Sequence, residues 1–351
     1  MNTFTFIGTI QKPKSKEDCI KTTSTGNKQL KLLIRENENN SAFVQMYGDT
    51  LIKGSIPVWL SNQAGRTTIN FEDRFNENIL NKISYSSKYI INDGDNEKQF
   101  IWKDDFMENA YELISSLPNN TKYEITGEFV LSQYNNKTYY NFNIKRIKVN
   151  RTDRPVMKLV LDLFYNYKSL DEKDKKNKFI LNAFIEQYVY SSKKREYFPL
   201  EVQFITNRFN FKNIADVEVI RHRKANMHPS PEEGYVKAKW EAQYVRGAQL
   251  ILPPLETLPK DIQFEIENAG RDIKEYMSNV IGEATEFICL TRPDNTLNKE
   301  GKVYVSLNCS DKQFEENINK QFSKQLENNT LDRIAKQSAI DNPFNREVIY
   351  L

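Results

Sequence analysis

The chain has 351 residues, of which 39% are hydrophobic and 28% are charged, with a formal net charge of +3. This length predicts two folded cores, and the apolar content excludes a disordered protein. No window approaches a membrane-spanning run, and the N-terminus lacks the basic and apolar regions of a signal peptide. We therefore expect a cytoplasmic protein without membrane contact.

The net charge changes sign along the chain. Residues 1–150 carry +2, residues 151–260 carry +6 and residues 261–351 carry −5. A histone-like binder of duplex DNA would be far more basic, whereas a groove that follows one nucleic-acid strand needs only local lysines and arginines. The same local excess is equally typical of a solvated surface.

The first 50 residues predict a three-strand meander. Thr3 to Ile10 alternates and contains Gly8, which indicates a strand that bends sharply. Leu30 to Ile34 and Ala42 to Met46 then alternate in the same way. The segment at about 51–104 predicts short strands and loops, and we interpret it as an insertion.

A helix and a hairpin follow the insertion. Asp104 and Asp105 are good N-cap residues for a helix that ends before Pro118. Tyr123 to Leu131 and Tyr140 to Ile144 then alternate around a turn. Three strands, a helix and two strands form the chain order of an OB barrel, a small five-stranded barrel.

The second half repeats this rhythm. Its predicted elements are a short helix at Val156 to Tyr167, strands at Phe179 to Tyr190, Phe198 to Thr206 and Tyr235 to Val245, a helix at Asp261 to Ile281, a hairpin of Glu286 to Thr291 with Val303 to Asn308, and a last helix from Lys312. We therefore predict a mainly β fold with α-helices, containing two OB-type five-stranded barrels, each with a helix. The predicted domains are 1–150 with its insertion, a linker or docking segment at 151–177, a second OB-like domain at 178–310, and a C-terminal helix and tail at 311–351.

Nothing in the sequence indicates catalysis or a bound cofactor. His222 and His228 lie in a basic segment that explains them without a metal, and no phosphate-binding, zinc-peptidase or serine-hydrolase motif is present. Cys19, Cys289 and Cys309 form no C-x-x-C pair, which argues against a disulfide framework and a zinc knuckle. We predict no catalytic residue, no metal site and no cofactor, so the chain is not expected to be an enzyme.

The binding prediction depends on side chains that point outward once the apolar set is placed inside. On the second and third strands, Lys31 and Arg35 would then lie beside Phe43 and Tyr47. Rings beside cations suit unpaired bases, because each stacked base contributes roughly 1 to 3 kcal/mol and the cations neutralise phosphates. The alternative is that these rings cover the insertion instead. The full set of predicted nucleic-acid contacts is Lys31, Arg35, Phe43, Tyr47, Tyr134, Lys137, Tyr139, Lys145, Lys193, Lys194, Arg195, Arg221, Arg223, Lys237 and Lys239.

Three segments resemble a known family. Phe6 to Ile10, Phe43 to Gly48 and Tyr123 to Glu128 with its following hairpin resemble strand signatures of OB-fold single-stranded DNA-binding proteins. The length, the second barrel-like half and Ile281 to Glu283 are similar to the larger, two-barrel versions encoded by tailed bacteriophages.

That resemblance implies a role. It implies sequence-tolerant binding and protection of single-stranded DNA in phage replication and recombination, within the cytoplasm of a bacterial host. It also implies that replication or recombination proteins dock on the C-terminal tail, although here Asp341 to Phe344 lies inside the chain and the end is Val348 to Leu351. The alternatives are a protein-binding OB module, as a phage structural component or replisome scaffold, and a magnesium-dependent nuclease.

Overall fold

The structure is a computed structural model. It describes residues 2–23, 26–48, 54–61, 65–134, 137–171, 178–189, 192–206, 213–248, 260, 263–264, 284–293, 303–307, 313–316 and 318, without the side chains of residues 134, 137, 248, 284 and 285. The predicted C-terminal tail and most of the predicted helix at Asp261 to Ile281 lie outside the described residues, although Gln263 and Phe264 are helical.

The described residues are mainly β-structure with few helices. The strands are β1 (Thr3–Ile10), β2 (Ile20–Thr22), β3 (Lys28–Asn37), β4 (Asn40–Tyr47), β5 (Ser55–Trp59), β6 (Arg66–Asn70), β7 (Tyr89–Asn92), β8 (Glu97–Phe100), β9 (Lys122–Tyr134), β10 (Lys137–Asn150), β11 (Val156–Tyr165), β12 (Leu170–Asp171), β13 (Lys178–Val189), β14 (Lys194–Ile205), β15 (Val236–Ala248), β16 (Ala284–Pro293) and β17 (Tyr304–Ser306). The helices are α1 (Lys16–Cys19), α2 (Glu77–Leu80), α3 (Lys103–Ser116) and α4 (Ile214–Met227), with 3-10 turns at Phe71–Asp73, Tyr85–Ser87 and Pro231–Glu233.

The chain divides into two compact units. The first contains Met1–Leu161, Val202–Ile205 and Trp240–Arg292, and the second contains Asp162–Glu201, Thr206–Lys239 and Pro293–Leu351. The unit boundaries therefore fall inside β11, β14, β15 and β16. The domain boundaries expected from the sequence stay predictions.

Five strands of the first unit close into a ring. β1 pairs with β3 and β9, β3 pairs with β4, and β9 pairs with β10. Closure comes from a parallel contact of β4 with β10, where Gln45 is opposite Asn143. This neighbour order, with a helix before the last two strands, is that of an OB barrel and confirms the expected fold class.

The bend that the sequence predicts in β1 occurs at Gly8. Thr3 to Ile7 pairs with β11, whereas Thr9 and Ile10 pair with β3. A Cβ atom at position 8 would lie 2.1 Å from the carbonyl oxygen of Arg35. Only glycine allows β1 and β3 to approach this closely, so this residue permits the ring to close.

Aromatic side chains fill the interior of this closed barrel. Phe142 lies with its ring centroid 4.8 Å from that of Phe6 and 5.4 Å from that of Phe129. Tyr244, from β15, packs 4.8 Å from Phe142 and is buried. Burial, followed by its hydrogen bond to Glu286, raises the pKa of Tyr244, so its phenol stays protonated.

The insertion forms a core of its own beside α3. β5 and β6 make a two-stranded sheet whose apolar face packs on Ile83, Ile101 and Trp102. β7 joins the edge of β10 in parallel and pairs with β8. α3 buries Phe106, Met107, Ala110 and Ile114 on one face, which confirms the predicted helix. The predicted N-cap was wrong, because the helix begins after Trp102, and Asp104 and Asp105 lie in its first turn.

The second half of the chain contains a similar strand order. Hydrogen-bonded neighbours follow the order β13, β14, β16, β15 and β11, and β11 also pairs with β13. β14 and β16 are parallel, with Gln203 opposite Cys289. Along the chain, α4 lies between the third and fourth of these strands, β14 and β15, as α3 lies between β4 and β9 in the first half.

Two predicted elements of the second half were wrong, and one helix was not predicted. Val156 to Tyr165 is a strand, because its side chains alternate between buried and partly buried positions, and no helix docks there. The unpredicted helix is α4, which contains His222; only Ile220, Asn226 and Met227 of this helix are buried, so its apolar period is weak. The predicted hairpin of Glu286 to Thr291 with Val303 to Asn308 is absent among the described strands, since β17 pairs with β15.

A buried asparagine joins β15 to the turn between β3 and β4. The Asn40 amide nitrogen donates to the Glu36 carboxylate (2.6 Å) and to the Tyr244 carbonyl (3.1 Å). Its oxygen accepts from the backbone nitrogen of Arg246 (2.9 Å). Burial raises the pKa of Glu36, against the hydrogen bonds from Asn40 and Gln243 that favour its charged form.

We predict that Asn40→Ala lowers the free energy of unfolding by about 1 to 3 kcal/mol, because a buried donor and carbonyl lose their partner. Urea unfolding measures this loss. The matched control is Asn39→Ala, an exposed neighbour that should stay within about 0.5 kcal/mol of the unsubstituted protein. Equal stability of the two variants would contradict this role of Asn40.

Candidate nucleic-acid interface

The outer face of β3, β4 and β10 exposes large rings. Phe43 is 39% exposed, Tyr47 is 49% exposed and Tyr139 is 45% exposed. Val44 and Met46, the chain neighbours of Phe43 and Tyr47, are buried inside the barrel. The predicted outward orientation of these rings is confirmed, and their role as stacking residues stays a prediction.

A row of side-chain amides crosses the same face between the rings. The Gln29 amide nitrogen donates to the Gln45 oxygen (3.2 Å), and the Gln45 nitrogen donates to the Asn141 oxygen (3.0 Å). The Asn141 nitrogen in turn donates to the Ser132 hydroxyl (2.9 Å) and the Tyr139 carbonyl (3.3 Å). The row therefore connects β3, β4, β10 and β9 with polar groups that carry no charge.

Two cations lie on the Phe43 ring. The Lys31 Nζ atom is 4.4 Å from the ring centroid, and the Arg246 Cζ atom is 4.9 Å from it. At an exposed site each contact contributes about 0.5 to 1 kcal/mol, which is less than the roughly 1 to 3 kcal/mol of a stacked base. A base can therefore replace either cation on the Phe43 ring. The displaced cation is then free to contact the adjacent phosphate.

A groove of about 680 Å³ extends from Phe43 along the start of the barrel. Its described lining includes the lysines Lys12, Lys14, Lys21 and Lys31, and Asp18 as the one acidic residue. Asp18 is engaged locally, since its carboxylate accepts from the Ser15 backbone nitrogen (3.0 Å). The groove is therefore an electropositive surface beside an exposed ring.

Sequence reasoning missed three of these four lysines. Lys12 and Lys14 follow β1 in a loop, and Lys21 lies in the short strand β2, which was not predicted. Lys12 donates to the Leu117 carbonyl at the end of α3 (2.8 Å). The available signal was the run from Lys12 to Lys21, which contains four lysines but no apolar period that would assign it to a strand or a helix.

Nearby lysines outside the groove are already paired. Lys16 and Lys28 both form ion pairs with Glu108. Although burial acts to raise it, the pKa of Glu108 is lowered by the hydrogen bonds from these two lysines. These cations therefore hold α1 and β3 against α3 and are less available to a ligand.

Two other predicted contacts of the first unit have protein partners. Arg35 donates to the Gln11 side chain (2.8 Å) and stays exposed. The Lys145 Nζ atom lies 4.8 Å from the Tyr89 ring centroid and 3.9 Å from the Glu128 Oε1 atom, so this side chain points toward the insertion. The side chains of Tyr134 and Lys137 lie outside the described residues.

The predicted contacts of the second unit differ in exposure. Lys193, Lys194, Arg195, Arg221 and Lys239 are exposed, and Arg223 and Lys237 are partly exposed. Ion pairs join Arg195 to Glu186 (2.7 Å), Arg221 to Glu218 (2.6 Å) and Lys237 to Asp162 (3.1 Å). The nucleic-acid roles of all seven stay predictions.

Within the described ranges, no group of three or more histidine, cysteine, aspartate or glutamate side chains is placed to hold a metal ion. No helix in the same part of the chain is both long enough and apolar enough to cross a bilayer.

No protein-family model matches the chain, and no curated protein matches it. Among solved structures, the chain is similar to two structures of the single-stranded DNA-binding protein from Thermus aquaticus. A deletion mutant has 10% identity and a TM-score of 0.34, over 85% of this chain and 96% of that one. The wild-type protein has 11% identity and a TM-score of 0.30, over 70% of this chain and 85% of that one.

Proposed function

We propose that the protein binds single-stranded DNA, with little regard to sequence, through the outer face of its first barrel and the adjoining lysine groove. The observation that carries this proposal is the exposure of Phe43, Tyr47 and Tyr139 on the outside of a closed barrel whose apolar side chains are inside. Binding of this kind requires no cofactor and no chemical step.

The rings provide selectivity for unpaired strands. Every base has a π-face on which a ring can stack, but a base in a duplex is already stacked on its neighbours. Lysines along the groove neutralise phosphates in either form of DNA. The preference for single strands therefore comes from the rings, and the salt dependence comes from the lysines.

The amide row explains why binding would tolerate any sequence. Base-specific recognition needs donors and acceptors that are free to bond with base edges. Here the amides of Gln29, Gln45 and Asn141 bond with one another and with Ser132. A base above them gains little from a particular edge, so stacking contributes most of the contact energy.

We propose that this binding protects unpaired DNA during phage replication and recombination in a bacterial cytoplasm. The predicted partners at the C-terminal tail belong to the same proposal. The supporting observation is the arrangement of rings, amides and lysines, which suits a coating protein that must bind every stretch of a strand alike.

We predict tighter binding to single-stranded than to double-stranded oligonucleotides of the same length, measured by fluorescence anisotropy at two salt concentrations. The logarithm of the single-strand affinity should fall by about 0.7 per log unit of salt for each phosphate neutralised. Equal affinity for both forms, or an affinity independent of salt, would count against the proposal.

Two lysine variants provide a matched control for that slope. The double variant Lys14→Gln, Lys21→Gln removes two groove cations and should make the slope shallower by about 1.4. Lys16→Gln removes a nearby exposed lysine that is paired with Glu108 and should leave the slope unchanged.

We predict that Tyr47→Ala and Tyr139→Ala each weaken binding of oligo-dT about 5- to 150-fold, the loss of one stacked base. The matched control is Phe75→Ala, because Phe75 is also exposed but follows Glu72 and Asp73. Circular dichroism would check that the variants stay folded. Unchanged affinity in both tyrosine variants would exclude this face as the binding site.

A further inference from the structure

The β5–β6 sheet of the insertion has one apolar face and one open face. Ile56, Val58 and Ile69 point into the core of the insertion. On the opposite face Trp59 is paired with Arg66, and Pro57 with Thr68. These four side chains are exposed, and none of them belongs to the core of the insertion.

Trp59 and Arg66 form a stacked pair at one end of this face. The Arg66 Cζ atom is 4.4 Å from the Trp59 ring centroid, and the tryptophan is 44% exposed. The 3-10 turn containing Tyr85 lies alongside, since Ser84 donates to the Trp59 carbonyl (2.7 Å) and the Trp59 nitrogen donates to the Ser87 hydroxyl (3.0 Å). Tyr85 is 55% exposed. Lys82 lies beside the same end, since its carbonyl accepts from the Ser61 nitrogen (2.9 Å). We call Trp59, Arg66, Lys82 and Tyr85 the hairpin patch.

The hairpin patch is positively charged, without acidic residues in the segments that form it. Residues 55–70 and 78–92 contain no aspartate and no glutamate, although the chain has 47 of them. Arg66 and Lys82 are exposed. An acidic ligand can therefore approach these rings without meeting a carboxylate from the same segments.

The other end of the insertion differs in charge. Phe71 and Phe75 are exposed as well, but Arg74, which lies 3.6 Å and 4.4 Å from their ring centroids, is paired with Asp105 (3.0 Å). Glu72, Asp73 and Glu77 occur in the same segment. Exposed rings alone therefore do not distinguish the hairpin patch. What distinguishes it is positive charge that has no ion pair within the part of the chain that the structure describes.

We propose that the hairpin patch is a second contact site for the same unpaired DNA strand, separate from the barrel face. Trp59 and Tyr85 would stack on bases, and Arg66 and Lys82 would contact phosphates. This inference rests on the proposed single-stranded DNA binding. It adds that long strands contact the insertion, whereas strands short enough for one barrel face do not.

Tryptophan fluorescence tests the proposal directly. Trp102 and Trp240 are buried, and Trp59 is the exposed member of the chain's three tryptophans. An oligo-dT of about 40 nucleotides should quench the emission, and one of about 8 nucleotides, within the range of a single OB fold, should not. Trp59→Phe should abolish the quenching.

Affinity provides the second measurement. The double variant Trp59→Ala, Arg66→Gln should weaken binding of the long oligonucleotide by about 5- to 150-fold and leave the affinity for the short oligonucleotide unchanged. The control variant Phe75→Ala should leave both affinities unchanged. Unchanged emission together with unchanged affinity would overturn the second site. Tighter binding by the double variant would also overturn it, because it would mean that the patch holds another segment of the chain.

The two proposals can fail separately. If Tyr47→Ala and Tyr139→Ala weaken binding while the hairpin variants do not, the barrel face remains the site and the hairpin patch is excluded. If the protein binds no single-stranded oligonucleotide of either length, the proposed function itself fails.

Discussion

The features of the candidate interface depend on closure of one ring of five strands. β1 can join both β3 and β9 because Gly8 lets it approach the carbonyl of Arg35. Once the barrel of five strands is closed around Phe6 and Phe142, alternate side chains of each strand must point outward. The exposed rings of β4 and β10 are therefore a direct consequence of how the interior is filled.

Exposed rings on a barrel are stable here because polar neighbours support them. Phe43 lies against Lys31 and Arg246, and the amide row links the strands that carry Tyr47 and Tyr139. These contacts are weak enough for a stacked base to replace them. The same neighbours hold the rings in place before binding and, once a cation leaves the ring, supply charge to the phosphates.

Sequence reasoning succeeded where local pattern decides the structure. Period-two alternation gave the orientation of β3 and β4, and the glycine in β1 indicated its bend. It failed where partners are distant in the chain: the ion pair of Lys237 with Asp162 has no local signature. The groove lysines were missed for a different reason. A short basic loop has the same sequence pattern whether or not the fold places it beside an exposed aromatic ring.

Photo-crosslinking tests the central claim most directly. A single-stranded oligonucleotide that carries photoreactive thymine analogues would be irradiated on the protein, and the linked peptides identified by mass spectrometry. The account predicts crosslinks to Phe43 and Tyr47 on β4 and to Tyr139 on β10. Crosslinks confined to other strands, with these three rings unlabelled, would contradict it.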